Sequence, residues 1–475
     1  MNIPAATPMR GRNAKIIATL GPGSRSPETV KLLAIAGVDI FRLNFSHGSH
    51  EDHKRAFDTV RSVEQELGRP LAILADLQGP KIRVGSFPEG EIRLGFQKEY
   101  VLSADAQTDS DDTIPVPHPA ILEQLEVGDE ILLNDGQLQL TVTGIEDAVR
   151  VRSDLPGKLS DKKGFTVRGK ALPVGAMTDK DKEDLAYAME IGVDIVALSF
   201  VQTVSDIEEA KAMIAGRAPL VAKLEKPAAI QNLDAIVSAA DAVMVARGDL
   251  GVEFPLEQVP IIQRRIIRTA RGAGRPVIVA TQMLESMIEH AAPTRAEASD
   301  VATAIYQGSD AVMLSAETAI GRHPATAVAI MDRIIKAAES SEDYETSLCQ
   351  FEGISQPEHD ELVDVVAMSV QALAKSHEAC ILALRTGSIA RLARFSRVRG
   401  STPIIYGSID RRRLRQAQLL WGVSPYAFQV DRADDWAAYL ARVSGFDGCY
   451  AYARWAGGEG TFAWEIGAND YIEDD

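Results

Sequence analysis

At 475 residues the chain is too long to enclose one hydrophobic core, so two or three domains are expected. Its net charge of -17, from 50 basic and 67 acidic residues, disfavours nucleic acid or an acidic membrane as a partner of the general surface and leaves only a local basic pocket open. Cys349, Cys380 and Cys449 are too scattered for a metal spacing or a disulfide framework; the opening MNIPAATPMRGRN has no apolar signal core, and no run of about 18 apolar residues occurs, so a cytoplasmic protein off the membrane is expected.

From Lys15 a strand and helix alternate. AKIIATLGPG reads as a strand ending at Thr19, and SPETVKLLAIAG as a helix with Ser26 as cap, Pro27 in the first turn and Gly37 as stop. VDIFRLNFSHG is a strand that finishes in Arg42, Asn44, Ser46 and His47; an amphipathic helix follows, and PLAILADLQG is a strand with Asp76 at its end. Between Lys81 and Pro173 the rhythm changes to short alternating segments with glycine turns, which reads as a small all-β insert, with Gly79, Pro80, Pro173 and Gly175 as hinge positions. The alternation then resumes, with helices expected near Thr178, Val204, Pro227, Leu256 to Arg271, Pro293 and Pro324. Strands at Ile16, Ile40, Ile73, Ile195, Val221, Val243, Val277 and Val312 make eight strand–helix units, the count of a (β/α)8 barrel. After about Ser347, CQFEGISQPEHD reads as a linker to a third, α/β domain.

The most informative stretch is VAKLEKPAAI followed by VMVARGDLGVE. Each is an apolar strand that ends in charge: Lys223 and Glu225 on the first, Arg247 and Asp249 on the second. An ammonium with two carboxylates can hold a divalent metal against a phosphate-bearing acid. An exposed ion pair and a helix cap are the plain alternatives. If the barrel closes, Thr19, Arg42, Asn44, Ser46, Asp76, Ser199, Lys223, Glu225, Arg247, Asp249, Thr281, Ser315 and Glu317 share its C-terminal mouth, and that recurrence favours a site. In the C-terminal part, Thr386, Gly387 and Ser388 open a basic helix that either holds a phosphate or is simply solvated.

In order, KIIATLGPGS, FRLNFSHG, DLQGPKIR, KLEKPAAI, VMVARGDLGVE, VIVATQMLESMIEHAAPTRAEASDVA and GSDAVMLSAETAIG resemble the pyruvate kinase family from about Lys15 to Pro324. The resemblance implies a discontinuous (β/α)8 TIM barrel (1–79 and 174–347), an inserted small β-barrel lid domain (80–173) and a C-terminal α/β domain (348–475), in a homotetramer. It implies phosphoryl transfer from phosphoenolpyruvate to ADP, then protonation of the enolate to pyruvate. Arg42 and Lys223 would grip the phosphoryl group, with Lys223 also steadying the enolate; Glu225 and Asp249 would hold Mg2+, with Mn2+ as an alternative. The amides of Arg247, Gly248 and Asp249 would take the substrate carboxylate, and Thr281 would stand beside the developing methyl group. The proton donor is left open between Thr281 with water and a relay through Ser315 and Glu317, which otherwise only brace the mouth. Asn44, Phe45, Ser46, His47, Arg83 and Lys180 would form the ADP site, with a surface role as the plain alternative for Lys180.

Two departures matter. The family's potassium site matches Asn44, Ser46 and Asp76, but Leu77 replaces its threonine and Lys81 its glutamate, so the lysine charge is expected to replace the ion and potassium not to be required. The ending keeps Gly457, Gly458 and Gly460 but lacks the family's Thr-Asn pair and carries an acidic tail, so activation by sugar phosphates at Thr386–Ser388 is expected to be weak or absent. A metal-dependent barrel lyase is the competing enzyme reading, and the β insert with Arg83 at its root argues against it. An inactive scaffold would have lost Arg42, Lys223, Glu225, Asp249 or Thr281, and all are present.

Overall fold

A computed structural model describes residues 10–134, 136–170, 175–349, 362–379, 381–427, 449–455 and 462–468. Pro173, Cys380, the expected linker after Cys349, the Gly457–Gly460 loop and the acidic tail lie outside the described residues. The eight apolar runs form β1 (Lys15–Thr19), β2 (Ile40–Asn44), β3 (Ala72–Asp76), β4 (Ile195–Leu198), β5 (Leu220–Leu224), β6 (Ala242–Ala246), β7 (Val277–Ala280) and β8 (Ala311–Leu314). Each pairs in parallel with its neighbours in sequence, and β8 returns to β1 to close the barrel.

Side-chain alternation explains why these runs are apolar on both faces. Ile17, Ile40, Leu74, Ala197, Val221 and Met244 fill the barrel interior. Their neighbours Ile16, Phe41, Ile73, Val196, Ala222 and Val243 face the surrounding helices in a second buried cluster. The helices begin where polar caps allow: Ser26, Ser49, Thr178 and Thr294 accept from main-chain amides of the first turn, and the last three do so in reciprocal capping boxes. The strand starts carry a repeat of their own. Asp39, Asp194, Asp241 and Asp310 immediately precede β2, β4, β6 and β8, and accept from the amides of Ile16, Ile73, Leu220 and Val277, each at the floor end of an adjacent strand.

The insert after β3 holds a six-stranded sheet and a two-stranded ribbon around one apolar core. Where a small barrel was expected, the described residues form these two sheets, with a short helix at Pro119–Leu122 that the all-β expectation did not include. The C-terminal sheet runs in the order Val423–Ala427, Ile404–Ser408, Ile381–Arg385, Cys449–Trp455, Phe462–Ala468, parallel except for the last pair. Leu419, beside this sheet, belongs to the barrel's interior cluster, and Lys15 Nζ donates to Val423 O at 2.6 Å.

Candidate active site

The alternation that fills the barrel also builds its mouth. Continuing the inward parity of each strand leads from Ile17 to Thr19, Ile40 to Arg42, Leu74 to Asp76, Ala197 to Ser199, and Val221 to Lys223. The polar side chains therefore begin where the apolar filling stops, at the C-terminal strand ends. They interlock. Arg42 Nε donates to Asp76 Oδ2 at 2.7 Å and Nη1 to Thr19 Oγ1 at 3.0 Å. Lys223 Nζ donates to Ser199 Oγ at 2.7 Å and lies 2.9 Å from Glu225 Oε1 and 3.4 Å from Asp76 Oδ1.

Charge dominates here. Burial works to lower the Lys223 pKa, but Asp76, then Glu225 and Asp249, outweigh it and hold the ammonium above the usual lysine range. Burial likewise works to raise Asp76, and Lys223 and Arg42 overcome it. Glu225 behaves differently. Burial, with a further push from Asp249, carries it up to about 7 despite Lys223. It is fully buried; Lys223 pairs with Oε1 at 2.9 Å, and Oε2 has no hydrogen-bond partner. The oxygen that Lys223 leaves unpaired is costly to bury unless a further cation or donor meets it. Asp249 is near enough to act on it and also lines a pocket, and two hard oxygen ligands suit a magnesium-like ion that keeps its other positions for water and substrate. With all groups ionised, Arg42 and Lys223 against Asp76, Glu225 and Asp249 (two positive, three negative) leave one negative charge, which a divalent ion would reverse. Among the described residues no group of three or more His, Cys, Asp or Glu forms a metal cluster.

The β6 and β7 ends are locked together. Gly248 N donates to Thr281 Oγ1 at 2.7 Å, so an amide and a hydroxyl both expected to meet substrate here meet each other. Thr281 has φ of +70, a conformation rare for a β-branched residue. The Arg247 guanidinium holds it there, donating to Thr281 O at 2.7 Å and pairing with Asp300 at 2.7 Å. The Arg247 side chain is thus a brace, leaving substrate contact to its backbone. Asp300 was missed in the sequence, where only its place in TRAEASD marked it. Glu317 also braces, accepting from Ser315 N at 2.7 Å and Leu284 N at 3.1 Å, whereas Ser315 Oγ is buried without a hydrogen bond.

The other candidates are placed more loosely. Asn44 Oδ1 accepts from Ser46 N at 3.2 Å, shaping the loop through His47. Lys180 Nζ donates to Phe45 O at 3.0 Å and pairs with Asp184, which also binds His50 at 2.7 Å. Arg83 Nη1 donates to Lys162 O within the insert. Leu77 is buried, and Lys81 lines a pocket that Asp249 also lines. Thr386, Gly387 and Ser388 belong to the C-terminal sheet region, where Ser388 caps the helix Ile389–Arg397.

A closed parallel barrel with interlocked cations and carboxylates at its C-terminal mouth defines a barrel enzyme for an anionic substrate. The chain belongs to the pyruvate kinase family: the family's barrel-domain model matches residues 11–328. It is 44% identical over 435 residues to a pyruvate kinase of Agrobacterium vitis, covering 89% of this chain and 90% of that protein. It is 43% identical over 437 residues to one of Methylorubrum extorquens, covering 92% and 91%. A pyruvate kinase of Mycobacterium tuberculosis is 48% identical over 334 residues, covering 70% of this chain and 71% of that protein. Among the described residues no helix is long and apolar enough to cross a membrane.

Proposed function

We propose that the chain transfers the phosphoryl group of phosphoenolpyruvate to ADP, giving pyruvate and ATP. The observation that carries this is the Arg42–Asp76–Lys223–Glu225 network, with a buried Glu225 carboxylate that Lys223 pairs through Oε1 and whose Oε2 has no partner. Glu225 and Asp249 would hold Mg2+, with Mn2+ as an alternative, and the ion when bound would neutralise phosphoryl and enolate oxygens. Arg42 offers a planar fork to the phosphoryl group, and Lys223 a point charge. As the P–O bond of phosphoenolpyruvate breaks, negative charge grows on the enolate oxygen, and the largely buried Lys223 ammonium opposes it. Thr281, held in its strained turn, stands where the enolate carbon would take its proton, from water that the Thr281 hydroxyl orients. The Gly248 amide, released from Thr281, takes the substrate carboxylate together with those of Arg247 and Asp249. Asn44 to His47, Arg83 and Lys180 line the ADP site.

The remaining assignments complete this reading. Residues 1–79 with 174–347 form the catalytic barrel, 80–173 a lid and 348–475 a C-terminal domain. The enzyme is a cytoplasmic homotetramer, and the exposed Leu256 and Ile261 offer apolar surface for subunit contact. Lys81, in one pocket with Asp249, supplies the charge of a potassium ion at Asn44, Ser46 and Asp76, so potassium is not needed. Thr386–Ser388 would be the effector loop; the Thr386 hydroxyl already accepts from Ser388 N and the Ser388 hydroxyl from Arg391 N in the following helix, which fits weak activation.

One coupled assay of pyruvate formation tests the proposal. ADP-dependent turnover is expected with Mg2+ in potassium-free buffer, with little response to sugar phosphates, and Lys223→Met should lower kcat by ~10³-fold or more. ADP-independent product, or full activity in the Lys223 variant, would overturn the reaction; strong activation by potassium would overturn the role given to Lys81.

A further inference from the structure

A second buried ion pair stands beside the site without a part in the reaction above. Lys226 follows Glu225 directly, and Glu253 lies four residues after Asp249 on the helix Arg247–Glu253. The Lys226 ammonium bonds Glu253 Oε1 and lies 5.3 Å above the Phe200 ring. Their side chains are 11% and 2% exposed. The pair ties the end of β5 to the helix after β6, the two elements that carry Glu225 and Asp249.

The same pair meets the insert. The helix Arg247–Glu253 packs against the insert strand Phe165–Val167, and the main-chain N–H of Gly169 faces the Glu253 carboxylate. Glu253 Oε2 is buried and has no hydrogen-bond partner. A pocket between mouth and insert is lined by Lys81, Thr166, Phe200, Lys226, Asp249 and Glu253. An acceptor buried without a donor is unfavourable, and the Gly169 amide, which already acts on this carboxylate, is a donor the insert holds beside it.

We propose that Lys226 and Glu253 form a positioning clasp: the pair fixes the spacing of Glu225 and Asp249, and Glu253 Oε2 takes the Gly169 amide when the insert closes over the mouth. Closure and metal-binding geometry are thereby coupled. The inference rests on the phosphoryl-transfer reading of the site, and it makes Lys226 and Glu253 positioning residues that touch no reacting atom.

The test uses the full chain with Glu253→Gln, which keeps shape, and Lys226→Met, which keeps the stem. Mn2+ affinity is read by electron paramagnetic resonance without turnover. Amide exchange is read over 164–170, with and without Mn2+ and phosphoenolpyruvate. Both variants should bind Mn2+ ~10- to 100-fold more weakly, the usual effect of losing a partner behind a metal ligand. Both should also lose the ligand-induced protection of 164–170, while exchange in β1 stays as in the parent. Parent-like affinity overturns the clasp. So does weaker affinity with protection intact, because a merely structural pair would give that result. Should Glu253→Gln fail to fold, Lys226→Met decides alone. Failure of the reaction itself shows separately, as absent ADP-dependent turnover in the parent protein.

Discussion

Asp39 is 3% exposed and holds three partners: Arg12 at 2.8 Å, Arg10 at 3.5 Å and the Ile16 amide at 2.9 Å. Burial alone would raise its pKa; Arg12, Arg10 and Lys15 override that and hold it below the usual carboxylate range. Asp241 occupies the equivalent place before β6, but it pairs with the half-exposed Lys211. Asp39→Asn is therefore expected to cost ~3 kcal/mol near neutral pH, because it leaves the buried Arg12 guanidinium with Asp332 as its one remaining carboxylate, and Asp241→Asn only ~0–1 kcal/mol beyond any lost hydrogen bond. A depressed folded-state pKa places the stabilisation above the unfolded value of about 4 and removes it as pH falls through the folded value. Urea unfolding should thus show the Asp39→Asn deficit shrinking below about pH 4; a deficit unchanged at low pH would mean that the charge is not its source. These aspartates were visible as VDI, VDI, ADA and SDA before alternate strands, yet nothing local says that they reach across to another strand. The mouth residues were legible for the opposite reason. Each is the first polar side chain on the inward parity of an apolar run, so strand periodicity alone places Arg42, Asp76 and Lys223. Thr281 breaks that parity through a positive φ, held by Arg247, itself paired with Asp300, and by the Gly248 amide, and these contacts are tertiary.

Among the elements, the barrel helices were readable from their caps and glycine stops. The helix Arg247–Glu253 was not, since RGDLGVE holds two glycines and forms where β6 and the insert pack against it. The entry to the insert was marked by GPK, and the structure supplies the reason for its glycine. Gly79 has φ of +71, and its amide donates to Asp181 Oδ1 at 2.9 Å. A Cβ there would sit 2.6 Å from the Phe200 ring, itself held at φ of +55 and beneath Lys226. Gly90 has a similar φ of +77 but nothing within 4 Å of a Cβ. Gly90→Ala should therefore lose only the ~1–2 kcal/mol of left-handed strain, and Gly79→Ala more, because Phe200 must also move. Unfolding midpoints of the two variants compare strain alone with strain plus collision. Equal losses would show that Phe200 gives way freely.

The whole molecule is joined at the end of the barrel opposite the mouth. Leu419 is 3% exposed among the inward residues of the barrel, although the chain reaches it from the C-terminal sheet. Around it Gln418 Nε2 donates to Pro70 O at 2.6 Å, Arg399 pairs with Asp310 at 2.9 Å, and Arg415 pairs with Glu64 at 2.8 Å. No periodicity in AQLLWGV announces this, because a leucine that fills another element's core looks like any other leucine. One side chain thus belongs to the barrel's packing while its backbone belongs to the C-terminal region, and loosening either should loosen both. Leu419→Ala is expected to cost ~2–5 kcal/mol, the range for a buried leucine whose cavity relaxes only partly. The loss should appear in one shared transition: amide exchange should rise together in β1 and in Ile404–Ser408. The KM for phosphoenolpyruvate should stay as in the parent at a temperature where the variant is folded, since the mouth lies at the far end of the strands. Faster exchange confined to Ile404–Ser408 would mean that Leu419 is only a local contact and that the barrel floor closes without it.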